Sequence, residues 1–226
     1  RQNGVNAITI REDDRVIQVR LTDGDSEIIM ANKYGRAIRF DEKKVREMGR
    51  IATGVRGMTL DDENDEVVGM ICMKKDTTET VLVVSEKGYG KRSELEEYRV
   101  TNRGGKGVKT LNVTEKTGNL VAIKNVTDDH DLVIINKSGI TIRLHVADMR
   151  VMGRATRGVK LINHEIASVC KVVRDEEAEA ETLVETVSTE QKLAFSDDEP
   201  IENDDVIEDV QNDEDQPEND NITDEN

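Results

Sequence analysis

The sequence predicts an all-β protein, a radial array of four-stranded repeats, and three observations carry that reading. A glycine turn and a cationic loop recur together. Gly35, Gly88 and Gly139 mark the first and Arg50, Arg103 and Arg154 the second, so both landmarks advance by 53 and then 51 positions. Between them lie short β-branched and aliphatic runs cut by Gly, Asn and Asp, the pattern of strands joined by turns. The end of a further copy precedes the first full one. A period of roughly 50 residues made of strands belongs to radial β-arrays rather than to an ordinary compact domain.

Taken in order, residues 4–8 and 16–19 resemble the last two strands of a repeat. The first full repeat spans about 27–73: an apolar run at 27–31, a turn at Gly35, a strand at 37–40, a crossing to a strand at 53–60, an acidic turn at 61–65 and a closing strand at 67–72. The second, at about 80–124, retraces this with 80–84, Lys91-Arg92, 107–113 and 120–123, and the third, at about 131–173, with 132–135, 140–144, 158–162 and 166–170. The last turn of the third repeat, at 163–165, is about five residues shorter than its sisters by direct alignment, either a tighter hairpin or a defect. One repeat cannot bury its apolar faces alone, and a closed array usually needs four or more. The expectation is therefore that more repeats precede Arg1, and that this chain by itself is marginally stable or prone to associate through an open edge.

Charge divides the chain. The formal net charge is −16. Residues 1–174 hold 31 of the 32 Lys and Arg and 26 of the 48 Asp and Glu, leaving a mildly basic body. Residues 175–226 hold one cation and 22 acids, too few apolar groups to offset ordering entropy, and read as a disordered acidic tail. Such a split points to a polyanion-binding body whose tail either acts on the same surface or only keeps the protein soluble. A short helix over 176–186 has weak support. Cys72 and Cys170 fit no metal or redox spacing and read as reduced core residues. The three histidines are scattered, so no metal is expected, and no run approaches a membrane span or a signal peptide, so the cytoplasm is the default location.

The chemistry lies in the cations. In Arg103-Gly104-Gly105-Lys106-Gly107 three glycines let the backbone approach an anion closely while Arg and Lys supply phosphate contacts. Alone, such a loop reads more readily as a Gly-rich turn with solvated charges. Its sisters decide between the two. Arg50 and Arg154 match Arg103, Arg157 matches Lys106, Arg56 and Lys160 match Lys109, and Arg39 and Arg143 match Arg92, with Lys91 beside it. Rotation about a common axis would gather these positions on one rim, so all of them are candidate phosphate ligands. The loop opens a strand rather than a helix, which excludes a nucleotide-binding P-loop. No Ser/His/Asp set occurs, Tyr89 and Tyr98 read as packing or turn residues, and aromatics are too few for single-strand stacking. No catalytic site is expected.

At 101–107 the chain resembles the box of DNA gyrase A subunits, Gln-Arg-Arg-Gly-Gly-Arg/Lys-Gly. Five of the seven positions match, and Thr101 and Asn102 depart from it. The runs Glu86-Lys87-Gly88-Tyr89-Gly90-Lys91-Arg92 and Thr53-Gly54-Val55-Arg56-Gly57 are also similar to that family's blades. The likeness covers about 1–173 and implies the C-terminal β-pinwheel: six blades that share strands, of which this chain holds about the second half. The family's box lies in its first blade, so 101–107 is a sister loop of it. The resemblance further implies wrapping of duplex DNA without sequence preference and support of ATP-dependent negative supercoiling. It implies as partners the rest of the gyrase A subunit, together with the B subunit, in an A2B2 assembly. ATP and Mg would be bound elsewhere and none in this chain, in the bacterial cytoplasm at the nucleoid. Two rivals stand beside it: the A subunit of topoisomerase IV, which mainly decatenates, and a β-propeller scaffold that binds proteins.

Overall fold

The computed structural model describes residues 4–174 of the chain. Its strands are β1 (Ser26–Asn32), β2 (Arg36–Asp41), β3 (Val67–Lys74), β4 (Thr80–Ser85), β5 (Tyr89–Ser93), β6 (Val108–Lys109), β7 (Leu120–Val126), β8 (His130–Asn136), β9 (Thr141–His145), β10 (Val159–Lys160) and β11 (Ile166–Val173). They form three antiparallel sheets in the orders β3-β1-β2-β6, β10-β5-β4-β7 and β11-β8-β9. Each sheet thus takes three strands from one repeat. In the first two, the fourth comes from the repeat that follows: β6 pairs with β2, and β10 with β5. The expected strand over 107–113 is therefore shorter than predicted and belongs to the preceding repeat's sheet. The expected all-β array of blades is the architecture found.

The glycine turns recur for a backbone reason. Gly35, Gly88 and Gly139 have φ of 78°, 79° and 84°, a region that costs other residues energy. Each turn is pinned by the side chain of a residue that closes the preceding strand. Asn32 Oδ1 accepts the Arg36 amide (2.7 Å), Asn136 Oδ1 the Ile140 amide (2.8 Å), and Ser85 Oγ the Tyr89 amide (3.2 Å).

Core packing follows from the alternation of side chains along β4. Val81 and Val83 join Ile29, Ala31, Ile71 and Met73 of the first sheet. Leu82 and Val84 point the other way and join Leu132 and Ile134 of the third. All four are fully buried, so the middle sheet is packed on both faces. Burying one such side chain contributes about 1.5–3 kcal/mol, and here part of that depends on the neighbouring repeat.

Some expectations are corrected. Residues 4–8, 16–19 and 53–60 form no strand. The sheets show the reason: a repeat's third strand pairs with the repeat before it, and residues 4–23 supply no strand for 53–60 to pair with. Leu21 (98 % exposed) and Val19 (79 %) consequently lie open. The short turn at 163–165 is a bend with His164 at φ 73°, not a hairpin, because the strands it joins, β10 and β11, pair in different sheets, with β5 and with β8. Cys72 and Cys170 are free thiols, but Cys170 is exposed on an edge strand rather than in the core. The tail and its possible helix over 176–186 lie outside the described residues.

Candidate nucleic-acid interface

The cationic loops adjoin one another through backbone hydrogen bonds. Gly104 donates to the Gly57 carbonyl (2.6 Å) and Thr59 to that of Gly105 (2.9 Å), joining the first loop to the second. Asn112 donates to Thr156 (3.1 Å), joining the second to the third. The glycines of these loops permit the approach. Gly107 (φ 74°) lies against the Ala37 carbonyl, and Gly158 (φ 79°) against that of Gly90, so closely that a Cβ at either position would overlap the neighbouring strand. Gly105 has the Ile38 side chain 3.5 Å from where its Cβ would stand.

Arg103 and Arg154 make the same contacts one repeat apart. Arg103 donates from Nε to Lys44 O (3.0 Å) and from Nη1 to Arg56 O (3.1 Å). Arg154 donates from Nε to Glu97 O (3.0 Å) and from Nη1 to Lys109 O (2.8 Å). The acceptors are themselves sister residues, each pair 53 positions apart. Each guanidinium thereby ties its loop to the preceding repeat and commits only part of its five-donor fork. Arg50, Arg56, Lys106, Lys109, Arg143, Arg157 and Lys160 are exposed. Arg143 also donates from Nε to the buried Asp131 (2.6 Å).

Three candidate residues are largely buried. Arg39 pairs with the buried Glu27, and its Nη1 donates to Leu95 O (2.7 Å) and Tyr98 O (3.0 Å) of the next repeat. Arg92 pairs with Asp128 and donates from Nε to Met149 O (2.7 Å). Lys91, 1 % exposed, donates to the carbonyls of Gly153 (2.5 Å) and Arg154. These cations satisfy the carbonyls of the adjoining repeat, and each arginine also an acid. That corrects their assignment as phosphate ligands: they are struts between repeats. Burial is the main cause that lowers the Lys91 ammonium to about 8, with Glu97 opposing it and Arg154 adding to it.

The seams between repeats differ in charge. At the first, Asp61 binds Arg36 (3.0 Å) and Lys106 (3.1 Å). The Lys106 ammonium, with Arg36 beside it, holds the Asp61 carboxyl below the usual carboxylate range. The Tyr34 hydroxyl meets Asp62 at 3.2 Å. At the second seam the positions of Tyr34, Arg36 and Asp61 are taken by Lys87, Tyr89 and Thr114. There Arg157 and Lys160 lie over the Tyr89 ring, at 5.6 Å and 5.0 Å from its centroid, and Lys160 Nζ donates to Lys87 O (2.8 Å). The sequence reads Tyr89 as a packing or turn residue and does not mark Lys87 as a candidate ligand. The signal that could have found them is the turn at 61–65, which carries four acids where 114–118 carries one.

Three sheets, two of them completed by a strand from the next repeat and edged by repeated cationic loops, define the class: a β-propeller-like repeat module. The sequence profile of the DNA gyrase C-terminal domain, beta-propeller, matches residues 1–23, 26–72, 79–127 and 130–168, and the chain belongs to that family. It is 47 % identical over 191 residues to the DNA gyrase A subunit of Staphylococcus aureus strain MRSA252, and 46 % over 192 residues to that of strain NCTC 8325. Each match covers 83 % of this chain but only 21–22 % of the relative, so the chain spans about a fifth of those proteins. Among solved structures it is similar to the C-terminal domain of DNA topoisomerase IV (26 % identity, TM-score 0.70, 80 % of this chain and 57 % of that one). It is also similar to the DNA gyrase A C-terminal domain (27 %, TM-score 0.68, 76 % and 59 %).

Proposed function

We propose that the chain grips duplex DNA through its phosphates, without sequence preference, as the C-terminal part of a gyrase A subunit. The observation that supports this is the run of adjoining loops whose cations repeat at equivalent positions: Arg50, Arg56, Arg103, Lys106, Lys109, Arg154, Arg157 and Lys160, with Gly104, Gly105 and Gly107 giving the backbone its close approach. Bending a 20–30 base-pair segment by 40–90° costs about 1–6 kcal/mol, and distributed phosphate contacts would offset it. Curved DNA held this way would be presented to the rest of an A2B2 gyrase in the bacterial cytoplasm, at the nucleoid, supporting negative supercoiling. ATP and Mg would be bound by other parts of that assembly, and no cofactor by this chain.

Filter binding to random duplexes at increasing salt tests the reading. With about 6–10 phosphates touched, affinity falls roughly 10³–10⁵-fold between 50 and 200 mM salt. A flat response rejects it and favours a protein-binding scaffold. The similarity in shape to the topoisomerase IV domain keeps that enzyme as a second reading. The 46–47 % identity to gyrase A subunits favours gyrase. A gyrase A subunit carrying this chain in place of its own C-terminal segment should introduce negative supercoils once its B subunit is added. Decatenation alone would favour topoisomerase IV.

A further inference from the structure

We propose that the seam between the second and third repeats, where Arg157 and Lys160 lie over Tyr89, is the dominant phosphate grip of this chain, and that Asp61 masks the corresponding grip at the preceding seam. The inference rests on the duplex-binding reading and assigns unequal weight to rim positions that the repeat alone would make equal.

The two seams share a backbone. Gly107 and Gly158 press on sister strands, and Arg103 and Arg154 reach sister carbonyls. They differ in what surrounds the cations. At the first seam one carboxylate already holds both Arg36 and Lys106. A phosphate arriving there must displace Asp61 or bind beside its negative charge. At the second seam no carboxylate pairs with Arg157 or Lys160 among the described residues. Glu165 is occupied by Lys137 (2.6 Å), and Glu115 meets Lys87 only through its backbone carbonyl (2.6 Å).

The tyrosine ring takes the place of a counterion. A ring face attracts both cations, yet it leaves the edge donors of the guanidinium and the protons of the ammonium available to an oxygen ligand. Tyr89 is 8 % exposed, so the platform is fixed by the core beneath it. Lys160 is further held by Lys87 O. Ordering of two long side chains, a cost of binding at most surface sites, is therefore largely met before the phosphate arrives.

The test uses the full 226-residue chain and random-sequence duplex, with affinity read against salt. Arg157→Gln with Lys160→Gln should lower the slope of log affinity on log salt by about 2, since each phosphate contact contributes about 0.9. Lys106→Gln should lower it by far less. Asp61→Asn should steepen the slope and tighten binding, a gain that a misfolded variant would not give. If the Arg157/Lys160 variant and Lys106→Gln lose equally, or Asp61→Asn changes nothing while the native chain binds DNA, the inference fails and the duplex-binding reading stands. If the native chain shows no salt-dependent binding to duplex, both fall together.

Discussion

Lys91 occupies the position that Ile38 and Ile142 hold in the sister repeats, so a lysine has been placed in an aliphatic site. The surrounding carbonyls of Gly153 and Arg154 accept its protons, but burial still depresses it to about 8. The sign follows from proton counting. Between about 8 and the ordinary lysine value near 10.4 the unfolded chain binds the proton and the folded chain does not, so stability rises with pH across that window. Below about 8 both states are charged and Lys91 contributes no slope. Lys91→Ile should abolish this rise, seen as the difference between native and variant melts from about pH 7 to 11. A difference that stays constant with pH would contradict the assignment. The same neighbourhood shows what the sequence could and could not reveal. Cations at equivalent positions were legible, but a sequence does not say which face they take, and Arg39 and Arg92 turn inward. The acid that holds Arg39 left a trace. Glu27 and Asp131, the buried acids that hold Arg39 and Arg143, are themselves sister residues. A repeated acid facing a repeated cation thus marks pairing for Arg39 and Arg143, but not for Arg92, where Thr80 holds the sister position and Asp128 supplies the acid.

The element that sets the architecture is the two-residue strand lent to the preceding sheet. Its glycine is what allows it to fit. Gly54, Gly107 and Gly158 are sister residues with φ of 89°, 74° and 79°, yet only the latter two meet a neighbouring strand. At Gly54 no atom lies within 4 Å of the place a Cβ would take. Gly54→Ala should therefore cost only the left-handed backbone penalty, about 1–2 kcal/mol. Gly107→Ala and Gly158→Ala should cost more, because the added methyl meets backbone that must move. Denaturant titrations of the three variants give the comparison, and equal losses would contradict the role of the lent strand. The periodicity made the repeats and their glycine turns readable. It did not reveal the exchange, because a strand that pairs with its own repeat and one that pairs with the previous repeat leave the same period.

Across the whole molecule, a mildly basic body carries a run of cationic loops, and 22 acids follow it in the sequence. If those acids compete with DNA for the loops, truncation after Arg174 tightens duplex binding at low salt and the effect fades as salt screens it. Unchanged affinity would reject that competition. The central claim of the proposed function concerns curvature: if the loops that Arg103 and Arg154 tie repeat to repeat hold phosphates around a radial array, duplex that binds bends. Energy transfer between dyes at the two ends of a mixed-sequence duplex of about 30 base pairs, a length that bends at moderate cost, reads this directly. The account predicts that the ends approach as the chain binds and separate again at high salt, whatever the base sequence. Tight binding with the ends left as far apart as in free DNA would contradict it.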